Sequence, residues 1–291
     1  DAYITKFNYK AETILDDMPK TASIDDITKI FNSVGFSSPP SWLKPYAVLS
    51  NGQKMRVDLA RAILEQNEMI VFDEFTSVVD RNVAKIGSFA IQKSIRKAKK
   101  KFIAVGCHYD IEEWLMPDWG FNTDTMSFHS FEGQKKNRPD IKFKIYQAAD
   151  KSIWKMFSRH HYLSHNHNNA AKVFIATIND EIAGFLSVLH LPHPQAKTIK
   201  KVHRLVILPD YQGAGFGIKF LNEVGAIYKK EKWRFTIKTS APSLIYALKK
   251  LPKWNLRHYG RHIGGKSGIL HSSNDKSQTS RHRLTASFEL K

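Results

Sequence analysis

Three stretches of this chain combine residue types and spacings that can do chemistry. The first is Gln212-Gly213-Ala214-Gly215-Phe216-Gly217. Alternating glycines let a main chain approach a ligand closely and turn successive N–H groups toward it. A helix starting there adds the positive end of its dipole, so a pyrophosphate is the natural guest. The second is Leu49-Ser50-Asn51-Gly52-Gln53, where a serine and a glycine ahead of a helix can hold an anion such as a γ-phosphate. The third is Met69-Ile70-Val71-Phe72-Asp73-Glu74, an apolar run ending in two carboxylates. One acid at such an edge can hold Mg²⁺ through water, and the other can orient an attacking water. Asp80 and His108 follow. Farther on, Arg159-His160-His161-Tyr162-Leu163-Ser164-His165-Asn166-His167 crowds four histidines together. His161 and His165 have the spacing to share a helical face and a metal, but no third ligand is evident, and a substrate-facing loop is the favoured reading.

These residues need elements to position them. Met55, Leu59, Ala62 and Ile63 recur at helical spacing after Gln53, so the Ser-Asn-Gly turn caps a helix, while Met69 to Phe72 and Phe102 to Gly106 read as buried strands. In the second half Ile141 to Tyr146 alternates as a strand, and Asp150 caps a helix running to His161. Val173 to Ile178 and Ile182 to Leu189 form a hairpin across Asn179-Asp180-Glu181. Val202 to Leu208 is a strand leading into the glycine turn and an amphipathic helix through Ile218, Leu221, Val224 and Tyr228. Phe235 to Lys238, a helix from Pro242 to Lys250, and strands at Asn255 to Tyr259 and Arg283 to Phe288 complete the order. The fold class is α/β with a mixed central sheet.

A chain of 291 residues, 42% hydrophobic, has room for two ordinary domains and is not disordered throughout. No apolar run is long enough to span a membrane, and no signal peptide is visible, so a cytoplasmic protein without a membrane partner is expected. The single cysteine, Cys107, leaves no internal disulfide and no Cys-based zinc site. Because the first residue is Asp1, the sequence reads as a piece of a longer chain. Charge divides sharply by position. Residues 1–140 hold 19 Lys and Arg against 19 Asp and Glu, whereas residues 141–291 hold 26 against 8, so the whole net charge of +18 lies in the second half. That excess exceeds what solubility asks for and points to a polyanion, foremost DNA. Residues 131–140 are mostly polar, contain Gly133 and Pro139, and read as a linker between domains at 1–130 and 141–291.

The ordered set Leu-Ser-Asn-Gly-Gln, Met69 to Glu74, Asp80 and His108 resembles the signature motif, Walker B strand, D-loop and H-loop of ABC-type ATPases, over roughly Asp25 to Phe128. The resemblance implies that Ser50, Gly52 and Gln53 contact nucleotide held by a partner subunit. It makes Asp73 the Mg²⁺ ligand through water, Glu74 the general base and His108 the γ-phosphate sensor. Asn51 stands where the family has Gly and Phe75 where it has Pro. A phosphate loop of the form G-x-x-x-x-G-K-[ST] occurs nowhere in the sequence; Gly264-Gly265-Lys266-Ser267 only echoes it. The favoured reading is a Walker A loop on an upstream segment or on a partner. The alternative is a degenerate ABC half kept as a dimerisation platform. ATP hydrolysis is expected only if that loop is supplied.

Val206-Ile207-Leu208-Pro209-Asp210-Tyr211 followed by the glycine turn closely resembles motif A of the GNAT acyltransferases. The resemblance implies a GNAT fold over 141–291, with acetyl-CoA or a related acyl donor held by Gln212, Gly213, Ala214, Gly215, Phe216 and Gly217. Ile207 would offer main-chain contacts to its pantetheine arm. It places Tyr246 where the thiolate leaving group is protonated. His203, on the motif A strand, is a candidate base. His-His-Tyr-Leu-Ser at 160–164, together with the basic domain, also resembles the Mom-type phage enzymes that modify the exocyclic amine of adenine in DNA. That would set His160, His161 and Tyr162 around the acceptor pocket. Lys200, Lys201, Arg204, Arg159, Arg257 and Arg261 are the candidate DNA contacts. Three functions compete: a nucleic-acid-modifying transferase, an ordinary N-acetyltransferase acting on a protein or small amine, and a non-catalytic ABC-GNAT assembly factor.

Overall fold

The computed structural model describes residues 3–4, 7–65, 68–133, 139–161, 165–192, 198–261 and 284–291. The chain divides into two compact units. One comprises Asp1–Lys142 with Leu208–Ala214, and the other Phe143–Ile207 with Gly215–Lys291. Among the described residues no helix is long and apolar enough to cross a membrane.

In the first unit β1 (Tyr3–Ile4) is followed by α1 (Ile24–Ser33), α2 (Pro39–Trp42) and α3 (Asn51–Leu64). Then come β2 (Met69–Phe72), α4 (Arg81–Ala98), β3 (Lys101–Ala104), α5 (Ile111–Leu115), and the strands β4 (Trp119–Asn122) and β5 (Ser127–Ser130). The sheet is parallel, in the order β1-β2-β3, and β4-β5 is a separate antiparallel pair. Its core gathers Phe31, Leu59, Ile70, Phe75 and Ile91, all fully buried. The buried stripe of α3 recurs at Gly52, Met55, Arg56, Leu59, Ala60 and Ile63, the spacing of one helical face. A charged residue sits in that stripe.

The second unit contains β6 (Phe143–Ala148), α6 (Trp154–Ser158), β7 (Lys172–Ile178), β8 (Glu181–His190) and β9 (Ile199–Ile207). It continues with α7 (Phe216–Lys230), β10 (Arg234–Thr239), α8 (Pro242–Lys250), β11 (Trp254–Arg261) and β12 (Leu284–Leu290). They form a seven-stranded sheet in the order β11-β12-β10-β9-β8-β7-β6. Only β9 and β10 run parallel, so the sheet is mixed. Asn179 and Asp180, both at positive φ, make the tight turn that the twist of the β7-β8 hairpin favours. Phe220, Leu221, Val224 and Tyr228 of α7 pack into the core with Phe235 and Phe288. The first helix of this unit is shorter than its sequence suggests, running Trp154–Ser158 with Ile153 as N-cap rather than from a cap at Asp150 to His161. Trp154 and Phe157 anchor it on Phe185, with ring centroids 4.9 and 5.5 Å away. Beyond them the N–H groups of His160 and His161 bond carbonyls only three residues back.

Candidate functional site

The start of α7 is the part of the glycine turn that lies in the second unit. Gly215 is its N-cap at φ +93°, a left-handed conformation that favours glycine, and no side chain caps the helix. A Cβ built there would meet nothing within 4 Å. Phe216 is buried and stacks on Phe143 at 5.8 Å, while the Ile207 side chain lies 3.5 Å from where a Cβ on Gly217 would stand. Gly215 therefore opens an uncapped helix start onto free space, which suits an anionic group. Gln212, Gly213 and Ala214 belong to the first unit, where the Gln212 Oε1 accepts the Ser37 N–H at 2.9 Å.

His203 sits at an irregularity of β9. Arg204 pairs with Ser187 and Val202 with Val188, so His203 is the extra residue of a bulge, a device that re-aims side chains. Its Nε2 accepts the Asn168 N–H at 3.3 Å. Arg204 donates to the carbonyls of His203 and Asn166 at 3.0 and 2.9 Å, and Trp154 Nε1 donates to that of His165 at 2.5 Å. The stretch from His165 to Asn168 is thus pinned from β9 and α6. Burial, with Arg204 adding to it, pulls His203 down to about 4. The ring is therefore neutral at neutral pH, as a base must be, but its Nε2 lone pair already holds the Asn168 amide. His167, with its ring 5.5 Å from that of His203, is also lowered, first by burial and then by Arg204.

His161 is buried at 6% exposure and meets Trp154 edge-on at 5.8 Å. With α6 ending at Ser158, His161 and His165 share no helical face, and no group of three or more His, Cys, Asp or Glu among the described residues could hold a metal ion. Tyr162 lies outside the described residues. Tyr246 is 55% exposed on α8, where Lys250 Nζ donates to its hydroxyl and lies 4.1 Å from its ring centroid.

In the first unit Ser50 forms a capping box with Gln53: its Oγ accepts the Gln53 N–H at 3.3 Å, and its own N–H donates to the Gln53 Oε1 at 3.1 Å. Gln53 Nε2 also donates to Ser41 Oγ at 3.3 Å, so both ends of its side-chain amide have partners within this unit. The register Phe72 to Ala104 brings Asp73, Glu74 and the chain leading to His108 to one edge of the parallel sheet. Asp73 Oδ1 accepts the Glu74 N–H at 2.9 Å, and Glu74 is exposed at φ +50°. Asn51 Nδ2 donates to the Val78 carbonyl at 3.2 Å, tying the signature turn to the loop after Glu74. Phe75 is fully buried between Phe72 and Phe102, and its N–H donates to the Val105 carbonyl at 2.8 Å, a bond proline cannot make.

Several of the candidate phosphate contacts are engaged within the chain. Arg204 is committed to carbonyls, and Arg257 bonds Glu289 at 2.9 Å beside Arg234. Lys200 Nζ lies 4.1 Å from the centre of the Trp233 ring, and Lys201 is lowered by burial and then by Lys238. Arg159 is exposed, with Nε 3.1 Å from the His160 ring, and the Arg261 side chain is outside the described set.

An α/β chain with a mixed sheet feeding a glycine-rich helix start has the form of a GNAT acyltransferase domain, and comparison with known families agrees. Residues 108–242 match the acetyltransferase (GNAT) family, and residues 5–77 match the ABC transporter family. The chain is thus similar to the GNAT transferases over its second half and to an ABC-type fragment near its start. The ABC match stops at Ser77, so Asp80 and His108 rest on their ordered spacing alone. The GNAT match begins upstream of β6 and ends at the first residue of α8, whereas the sheet continues to Leu290. Similar solved structures include the ribosomal-protein-S18-alanine N-acetyltransferase from Escherichia coli (14% identity, 51% of this chain and 93% of that one, TM-score 0.38). A Bacillus subtilis acetyltransferase in complex with CoA (14%, 52% and 98%, TM-score 0.36) is another. A third is a GNAT family acetyltransferase from Elizabethkingia anophelis with acetyl-CoA bound (12%, 52% and 97%, TM-score 0.32). No curated protein matches the chain.

Proposed function

We propose that the chain is an acyl-CoA-dependent N-acyltransferase that acts on an amine borne by nucleic acid. The observation that carries the nucleic-acid part is the charge division: the +18 excess lies entirely in residues 141–291, the half that contains the transferase sheet. Acyl-CoA fits the residues present, because α7 starts without a side-chain cap and its N-cap residue, Gly215, faces open space. Acetyl-CoA supplies an activated acyl thioester. The chain's part is to seat the pyrophosphate at residues 215 to 217, to offer the Ile207 main chain to the pantetheine arm and to accept the amine's proton. His203 is neutral but only weakly basic, so it would take the proton after attack on the thioester has made the nitrogen acidic, with the Asn168 amide displaced by the incoming amine. Tyr246, already in a hydrogen bond with Lys250, is the group to return a proton to the thiolate. His161 would back the acceptor pocket through Trp154 rather than touch the amine. The ABC-type fragment would take ATP and Mg²⁺ at Ser50, Gly52, Asp73, Glu74 and His108 only with a phosphate loop supplied by an upstream segment or a partner. These co-substrates are compatible with a cytoplasmic setting.

The test is to incubate the full chain with acetyl-CoA and duplex or single-stranded DNA, and to analyse the released nucleosides by mass. Binding is followed as salt rises. An acyl-shifted nucleoside together with affinity that falls steeply with salt is expected. Salt-independent behaviour with acylation of peptide or small amines alone would move the reading to an ordinary N-acetyltransferase.

A further inference from the structure

Arg56 breaks the apolar stripe of α3, yet it is 0% exposed. Burying a guanidinium is strongly unfavourable unless acceptors replace its water, so its partners reveal its purpose. Nη1 donates to the Pro209 carbonyl at 3.0 Å and Nη2 to the Asp210 carbonyl at 2.7 Å, with the Asp210 carboxylate 3.9 Å from Nη1. Burial draws the group down to about 10, opposed by Asp210, so it stays charged at neutral pH. Both carbonyls belong to the short 3-10 turn Pro209–Tyr211, immediately before Gln212.

The rest of that bend is held as closely. A Cβ on Gly213 would fall 2.7 Å from the Gly35 Cα, and a Cβ on Gly35 would fall 2.7 Å from the Gln212 carbonyl oxygen. Only glycine at both positions permits this approach. The Ser37 N–H clamps the Gln212 side chain at 2.9 Å. All of these contacts lie within the first unit.

We infer that Arg56 is a positioning residue for the Pro209–Gly213 bend, and that through this bend it sets the affinity for acyl-CoA. The inference rests on the acyl-CoA reading above. A guanidinium fork fixes two successive peptide planes at once, and so fixes where the N–H groups that follow them point. A lysine in its place keeps the charge but cannot hold both carbonyls.

The test uses the full chain and two substitutions, Arg56→Lys and Gly35→Ala, neither of which touches the ligand. CoA binding is measured by calorimetry, amide hydrogen exchange is followed over residues 208–217, and thermal melting is recorded in parallel. For Arg56→Lys, exchange at Tyr211 to Gly213 should quicken and CoA affinity should fall, each by about tenfold, while exchange within α7 and the β9 strand stays as in the wild type. Gly35→Ala should move both readouts in the same direction by pressing on Gln212. It also carries the test if the lysine variant fails to fold. A merely structural role would lower the melting temperature and leave the affinity of folded protein unchanged. Wild-type exchange and CoA affinity in both folded variants would overturn the inference. If the wild type binds no CoA, the acyl-CoA reading and the affinity claim fall together, and the exchange measurement decides whether Arg56 positions the bend.

Discussion

Replacing Gly215 separates backbone strain from charge at the start of α7. Gly215 sits at φ +93° with open space where a side chain would go, so a substitution there meets no steric obstacle but does meet conformational strain. Asn and Asp tolerate left-handed geometry better than other side chains, have the same size and differ by one charge, so Gly215→Asn and Gly215→Asp should share the strain of about 1 kcal/mol. Asp should even fold slightly better, since a carboxylate at a helix N-terminus gains about 0.3–1 kcal/mol. Ligand affinity should move the other way. A carboxylate roughly 5–6 Å from a bound pyrophosphate, at an effective dielectric of about 20–40, costs about 1.5–3 kcal/mol, or roughly 10–100-fold. Calorimetric titration with CoA should show Gly215→Asp weaker than Gly215→Asn by that factor at low salt, with the gap closing as salt screens the pair. Equal CoA affinity for the two folded variants would refute the placement of an anion at this helix start.

Two further outcomes follow from the packing. His203 is held near 4 in the folded protein against 6.5 when free, so its contribution to stability is present above pH 6.5 and is lost as pH falls toward 4. His203→Gln keeps an acceptor for the Asn168 amide and does not titrate. The wild type should lose about 1–2 kcal/mol relative to it across that window in melting experiments, after discounting for solvent screening, and parallel curves would count against the assignment. Phe75→Pro, which restores the residue usual in the ABC family, should cost about 3–5 kcal/mol in chemical denaturation. It removes a buried ring and the bond to the Val105 carbonyl, and it follows a residue at positive φ. Phe75→Leu should cost less than half as much, and equal losses would show that the bond is not what Phe75 provides.

The strands and long helices were legible because burial leaves a period in the sequence. The helix from Pro242 to Lys250 and the β7-β8 hairpin fall where alternation and turn chemistry put them. What was not legible depended on contacts distant in sequence. The first helix of the second unit ends at Ser158, where Trp154 and Phe157 pack on Phe185 and the next N–H groups turn to carbonyls three residues back, contacts that the sequence does not show. The bulge that singles out His203 arises from the mismatch between β8 and β9, which neither strand shows alone. Gln53 reads as a nucleotide contact by motif, yet its amide closes a capping box and reaches Ser41. Arg56 is the case where a signal existed and carried no motif: an arginine at a helical position surrounded by Gly52, Met55, Leu59 and Ala60 demands a buried acceptor.

The glycine turn shows why motif and structure assign roles at different grain. As sequence, Gln212 to Gly217 is one six-residue feature in which every glycine serves the same ligand. In the folded chain its two halves answer different constraints. Gly213 must be glycine both for its φ of +89° and because Gly35 lies against it, and the second is a demand of packing that would hold with no ligand at all. Gly215 must be glycine because of its own φ, and it faces space rather than protein, so its freedom is available to a guest. Substitutions in the first half should therefore act on affinity only through the shape of the bend, whereas those in the second half act on the ligand's charge directly. The two kinds of effect differ in their response to salt, since screening weakens a charge contact and leaves a steric one unchanged.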